Sequence, residues 1–220
     1  MNTSYFVWNC QGAASSKFYR VLKSLLQGYK PDVVVLVEPR ISGAKADQVI
    51  RKIGYQNSHR VEAVGYSGGI WLLWRDHLTI EIVSNHKQFI HTYIQRANET
   101  TATAFTAIYG SPNASRREHL WRDLLKLQVS DDEPWLIAGD FNATLAEGDR
   151  KGGSRRNQGG CSKFQNFVKE AGLIDLGFSG PKFTWQRGGL LVRLDRALKQ
   201  QNMGHYAAQH GSNAPSKTTI

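Results

Sequence analysis

The run Val33-Val34-Val35-Leu36-Val37 constrains this chain more than any other segment. Five consecutive apolar residues, most of them β-branched, leave no polar face for water, so they read as a strand buried on both sides. Its neighbours continue the pattern. Tyr5-Phe6-Val7-Trp8 reads as a short strand that stops at Asn9-Cys10-Gln11-Gly12. Residues 15–29 then set Phe18, Leu22, Leu25 and Leu26 on one helical face, and residues 44–53 repeat that spacing with Ala46, Val49, Ile50 and Ile53. The opening order is β-α-β-α.

From residue 57 to 109 the pattern changes to short segments of β character, at 60–64, 69–74, 78–83, 89–95 and 101–109, which reads as an antiparallel meander. Residues 115–128 predict a helix, 134–138 a buried strand, and 161–171 a helix carrying Phe164, Phe167 and Val168. Phe183-Thr184-Trp185 and residues 191–198 add two more strands. The mixture predicts an α/β fold, sheets covered by outer helices. Residues 149–163 interrupt it: they are glycine-rich and contain Arg150, Lys151, Arg155, Arg156 and Lys163, and read as an exposed basic loop. No Gly-x-x-x-x-Gly-Lys-Ser/Thr arrangement is present, which excludes a nucleotide P-loop.

The chain has 220 residues, 40% of them hydrophobic, enough for one sizeable core. Lys plus Arg number 28 against 18 Asp plus Glu, a formal charge of +10, which favours a polyanionic partner such as nucleic acid. Cys10 and Cys161 cannot build a disulfide framework, and neither has a second cysteine or histidine at zinc-ligand spacing. A reducing compartment, nuclear or cytoplasmic, and a monomer without a disulfide partner are expected. The apolar runs at 33–37 and 70–74 fall far short of the roughly 20 residues that span a bilayer, and the N-terminus lacks a secretory pattern, so neither membrane nor secreted placement is expected.

Polar residues able to bind a metal or phosphate recur where the buried strands end. Asn9 follows the first strand, Glu38 the second, Tyr109 the segment ending at Ile108, and Asp140 with Asn142 the run ending at Ala138. Singly, each has an ordinary explanation as a turn former, strand terminus or cap. Jointly they fit the habit of layered α/β folds, in which strand ends hold side chains rigidly while loops leave room for substrate.

These residues also carry a resemblance. Trp8-Asn9-Cys10-Gln11-Gly12, Val37-Glu38-Pro39-Arg40, Ile108-Tyr109-Gly110-Ser111-Pro112-Asn113, Gly139-Asp140-Phe141-Asn142 and Arg193-Leu194-Asp195-Arg196 resemble the ordered motifs of the endonuclease/exonuclease/phosphatase superfamily. Within it they look like the apurinic-type endonuclease domain of plant LINE-type (non-LTR) retrotransposons. Residues 172–178 and Phe183-Thr184-Trp185 strengthen the likeness, which spans roughly residues 4 to 200. It implies a four-layered α/β sandwich of two packed mixed sheets with outer helices. It also implies Mg²⁺ or Mn²⁺ dependence and phosphodiester hydrolysis, in that setting the nicking of target DNA to prime reverse transcription.

By the resemblance, Glu38 is the metal ligand, helped by Asn9, in the oxygen surroundings that suit Mg²⁺. Asp140 aligns or deprotonates the attacking water, while Asn142 and Tyr109 donate to the phosphate. Asn113 borders the substrate phosphate, and Arg116, Arg117, Arg155 and Arg156 would add attraction for DNA. Asp175 is implied as structural, and Asp195 as the carboxylate that orients a catalytic histidine. The Ser-Asp-His triplet carrying that histidine is where the chain departs, since it ends in His210-Gly211-Ser212-Asn213-Ala214-Pro215-Ser216-Lys217-Thr218-Thr219-Ile220. Ser212-Asn213-Ala214-Pro215 is either a degraded triplet or unrelated sequence, and the lack of apolar periodicity favours the second. His205 and His210 read as solvent residues.

The expected organisation is therefore a domain over 1–200 and a divergent tail over 201–220, the fold lacking its last strand. Two readings follow: a Mg²⁺-dependent DNA endonuclease, or an inactive remnant that still binds nucleic acid. A third, hydrolysis of a phosphoinositide or sphingomyelin head group, is disfavoured by the retroelement-like motifs.

Overall fold

The computed structural model describes residues 3–65, 67–97, 99–127, 129–130, 133–153 and 159–200, together with the backbone pairing of Thr218–Thr219. In it Tyr5–Asn9 (β1) and Val33–Val37 (β2) pair in parallel, joined by the helix Ser16–Tyr29 (α1). Ser15 begins that helix by accepting the Phe18 N–H on its hydroxyl, and the left-handed Lys30 ends it. All five residues of β2 are 0% exposed, and they alternate: Val33, Val35 and Val37 face one apolar cluster, Val34 and Leu36 another. That alternation is why the run needs no polar residue.

The helix Gly43–Ile53 (α2) follows β2. Asn57–Val61 (β3) and Ile70–Trp74 (β4) extend the first sheet beyond β2, with β4 antiparallel to both β2 and β3. A second sheet takes Leu78–His86 (β5), Phe89–Arg96 (β6), Thr103–Tyr109 (β7) and Trp135–Asp140 (β8). The helix Ala114–Leu125 (α3) makes the parallel crossover from β7 to β8. Downstream come Arg150–Lys151 (β9), the helix Ser162–Glu170 (α4), Leu173–Asp175 (β10), Trp185–Arg187 (β11), Leu190–Val192 (β12) and Asp195–Gln200 (β13). The second sheet runs β10-β13-β8-β7-β6-β5, and β11-β12-β9 forms a small third sheet.

Three apolar clusters define the layers. Tyr5, Val7, Val35 and Leu72 of the first sheet meet Ile90, Phe105, Leu136 and Ala138 of the second between the two sheets. Phe18, Leu22, Ala46 and Ile50 of α1 and α2 cover the outer face of the first sheet, against Phe6, Leu36, Trp71 and Leu73. Leu120, Trp121, Phe164 and Phe167 of α3 and α4 cover the second, against Phe89, Ile108, Ile137 and Phe141. The order helix, sheet, sheet, helix is the four-layered sandwich that the resemblance implied.

Three details differ from expectation. The presumed single meander is divided: β3 and β4 belong to the first sheet, β5 to β7 to the second, and the chain changes sheet at a turn where Leu78 N–H meets the Arg75 carbonyl at 3.1 Å. The basic loop is not wholly exposed, because Asp149 is buried and β9 pairs with β12; residues 154–158, which include Arg155 and Arg156, lie outside the described residues. Where a missing last strand was expected, Thr218–Thr219 (β14) runs parallel to Tyr5 and Phe6 at the edge beside β1. Two β-branched residues suffice for this short pairing, not for a full-length closing strand. Residues 201–217, with His205 and His210, lie outside the described residues.

Gly139 shows how tightly β7 and β8 are joined. Its φ is +149°, and a Cβ there would overlap the backbone carbonyl of Ile108. Gly139→Ala should cost about 3 kcal/mol, combining backbone strain with overpacking. A urea midpoint equal to that of the parent protein would contradict this.

Candidate active site

The two parallel pairs, β1/β2 in one sheet and β7/β8 in the other, end at the same edge of the sandwich, and β13 begins there. Antiparallel register places Asp195 directly opposite Asp140. Two hydrogen bonds tie the sheets together at this edge: Asn9 Nδ2 donates to Asp140 Oδ2 at 2.7 Å, and the Tyr109 hydroxyl donates to Glu38 Oε1 at 2.5 Å. Five of the predicted residues, Asn9, Glu38, Tyr109, Asp140 and Asp195, therefore come together, and Asn142 joins them. Its backbone N–H reaches Asp140 Oδ1 at 2.8 Å, and its Nδ2 reaches Asp140 Oδ2 at 3.0 Å and the Gly110 carbonyl at 2.9 Å.

Backbone geometry is unusual here. Among the described residues, five non-glycine positions have positive φ, and four of them, Gln11, Glu38, Arg40 and Asn142, belong to this edge. Such conformations cost free energy and persist only where their surroundings impose them. For Glu38 and Arg40 the surroundings are visible: their N–H groups bond to the carbonyls of Gly69 and Gly68, and the Pro39 ring lies so close to Gly69 that a Cβ there would sit 3.0 Å from its Cγ. Gly110 is also required, since a Cβ would overlap the Phe141 carbonyl.

Asp140 is buried, and its carboxyl is pushed up to about 7, first by burial and then by the charge of Asp195, against the opposing hydrogen bonds from Asn142 and Asn9. Asp195 is raised for the same first reason, although the Thr184 hydroxyl bonds to it. A carboxyl near 7 can take a proton from water and release it again at neutral pH. Tyr109 is raised by burial and by its bond to Glu38, so it remains a phenol and a donor throughout the physiological range.

Other predicted residues have different surroundings. Asn113 caps α3, its Oδ1 accepting the Arg116 N–H at 3.2 Å. Arg117 turns back to the carbonyls of Ser111 and Pro112, at 2.6 and 2.8 Å, and so stiffens the loop beside the site. The resemblance implied a phosphate contact for Tyr109 and a histidine for Asp195. The structure gives the Tyr109 hydroxyl to Glu38, and no histidine among the described residues bonds to Asp195.

Sequence reasoning gave no role to Arg40, Gln88 or Asp149, and it named Asp175 as structural without its partners. Arg40 pairs with Glu38 through Nη2 and Oε2 at 2.6 Å; Gln88, 3% exposed, holds Ser111 N–H and the Arg116 carbonyl; and Asp149, Asp175, Arg193 and Arg196 form an ion network behind Asp195. Arg40, Arg193 and Arg196 lie inside the motifs and so left a signal in the sequence, whereas Gln88 and Asp149 left none.

The donor set fits a hard divalent cation. Glu38, Asn9 and Asp140 offer oxygen, and among the described residues no thiol or imidazole hydrogen-bonds to them. Among the described residues no group of three or more His, Cys, Asp or Glu is arranged to hold a metal. Mg²⁺ characteristically keeps several waters and takes one or two carboxylates plus substrate phosphate.

The fold is shared with several nucleases. An AP endonuclease from Leishmania major superposes with a TM-score of 0.70 at 14% identity, covering 91% of this chain and 80% of that one. The endonuclease domain of TRAS1, a telomere-specific non-LTR retrotransposon, gives 0.63 at 14%, covering 90% and 84%. A 3′-5′ exonuclease from Neisseria meningitidis gives 0.59 at 19%, covering 90% and 86%. No curated protein matches the sequence significantly. The model of the Endonuclease/Exonuclease/phosphatase family matches residues 6–214, nearly the whole chain and every strand end that builds this site, and the chain belongs to that family.

Proposed function

We propose that the chain is a Mg²⁺-dependent DNA endonuclease of the retrotransposon type. The observation that carries the reading is the junction of the two sheets, where Asn9, Asp140 and Asn142 share one hydrogen-bonded cluster and Tyr109 fixes Glu38 beside it. Enzymes of this family generally use divalent metal ions, and the net charge of +10 suits a polyphosphate substrate.

Glu38, with Asn9 beside it, would hold the cation, which supplies charge stabilisation at the phosphoryl and leaving oxygens. Tyr109 keeps the Glu38 carboxylate in place by donating to Oε1. Asp140 accepts the proton of the attacking water as its oxygen bonds to phosphorus, and Asn142, fixed by Asp140 and the Gly110 carbonyl, orients that carboxylate. The bond from phosphorus to the leaving oxygen then breaks with its electron pair remaining on that oxygen, whose charge the bound cation would offset until solvent water protonates it. Binding without turnover is the second reading, favoured by the partner that Asp195 has among the described residues, the hydroxyl of Thr184 and no imidazole.

Supercoiled plasmid incubated with the protein and Mg²⁺ should become nicked, and EDTA should stop this. Calorimetric titration with Mn²⁺ should show at least about tenfold weaker binding for Glu38→Ala, by analogy with the loss of a group that supports a metal. Nicking that persists in EDTA would refute the metal-dependent reading, and metal binding with no nicking would establish the binding-only one.

A further inference from the structure

Both oxygens of Glu38 are occupied, but by partners of different character. Tyr109 holds Oε1 from the buried core, whereas Arg40 reaches Oε2 from a side chain that is 42% exposed, against 12% for that of Glu38. The carboxylate is therefore anchored and the guanidinium is the partner able to move. The backbone aims both at one place: Glu38 and Arg40 have φ of 55° and 57°, flank Pro39, and are pinned through their N–H groups to the carbonyls of Gly69 and Gly68. Asp140 and Asp195 sit across the junction, so the edge is rich in carboxylates.

We propose that Arg40 is a tethered cation that neutralises Glu38 while no metal is bound and transfers to a substrate phosphate when one is. The inference rests on the reading of Glu38 as metal ligand. A guanidinium suits the exchange because its planar fork matches carboxylate and phosphate alike. A half-exposed ion pair is only weakly held, so a divalent cation can replace it. The released charge stays within a side chain's length of the scissile phosphate, which couples metal uptake to substrate: each favours the other by the same factor. Arg40 acts through Glu38 in the free protein and is in that sense a positioning residue.

The test is Mn²⁺ titration by calorimetry on the full chain, for the parent protein, Arg40→Ala and Arg40→Lys, alone and with a phosphorothioate duplex that resists cleavage. Without duplex, Arg40→Ala should bind Mn²⁺ about tenfold more tightly than the parent, and Arg40→Lys, which keeps the charge, should remain near it. The duplex should strengthen Mn²⁺ binding in the parent and much less in Arg40→Ala. A purely structural arginine would give the opposite sign, because its loss would loosen Glu38. Equal affinities in all three proteins, or weaker binding by Arg40→Ala, would overturn the role of Arg40 while leaving Glu38 as ligand; no Mn²⁺ binding in any of them would overturn both.

Discussion

Asp140→Asn should lower plasmid nicking by about 10² to 10⁴, the range expected when a general base is removed from a positioned site. The substitution keeps the shape of the side chain but removes its ability to take a proton. It also presents an amide N–H₂ where Asp140 now accepts three hydrogen bonds, two from Asn142 and one from Asn9. A second consequence concerns stability. In the metal-free protein the Asp140 carboxyl is raised to about 7, by burial and by Asp195, from an ordinary value near 3.8. The unfolded chain therefore binds fewer protons at this group than the folded one, so its contribution is full below the unfolded value and is lost as pH rises through about 7. Relative to Asp140→Asn, the parent protein in EDTA should lose up to about 1.4 kcal/mol per pH unit between pH 4 and 7. Urea midpoints at pH 5 and pH 7 measure this. A difference between the two proteins that does not change with pH would mean Asp140 is ionised throughout, and its assignment as base would need revision.

The strand ends were legible in the sequence because the runs before them are buried. Val33–Val37 and the run ending at Ala138 mark their own limits, so Glu38 and Asp140 stand out as the first polar residues after them. That both would meet at one edge follows from parallel pairing within each sheet and from the packing of the two sheets, information no local window contains. Where side chains point was equally hidden: nothing in Ile108-Tyr109-Gly110 says that the hydroxyl goes to Glu38 rather than outward. Asp149 was hidden most completely. It begins a stretch of glycine and basic residues whose composition is that of an exposed loop, yet its carboxylate accepts the N–H groups of Leu145 and Ala146, at 2.7 and 2.9 Å, and pairs with an arginine 47 positions away. Periodicity reports one face of one element and is silent on a charge buried by chain crossing.

That arginine, Arg196, is expected to be the most sensitive surface-to-core position outside the site. It is 1% exposed, and its guanidinium joins two carboxylates from separate segments, Nη2 to Asp149 Oδ2 at 2.8 Å and Nη1 to Asp175 Oδ2 at 2.7 Å, with the Arg193 carbonyl as a further acceptor at 3.2 Å. Arg193 completes the set through Asp175 Oδ1 at 2.8 Å. Burial alone would push Asp149 up, but the Ala146 N–H and Arg196 outweigh it and hold its carboxyl below the usual range. Its stabilising share is therefore present above the unfolded value near 4 and is lost as pH falls below it. Arg196→Met should destabilise by about 3–5 kcal/mol, because it strips a buried carboxylate of its counter-charge rather than merely deleting a favourable pair. For a chain of this size that lowers Tm by roughly 10 °C or more. Adding Asp149→Asn should recover part of the loss, since the uncompensated charge is then gone; if the double variant is as unstable as the two single effects added together, packing over Phe164, whose ring lies 5.8 Å from the guanidinium, outweighs the ion network.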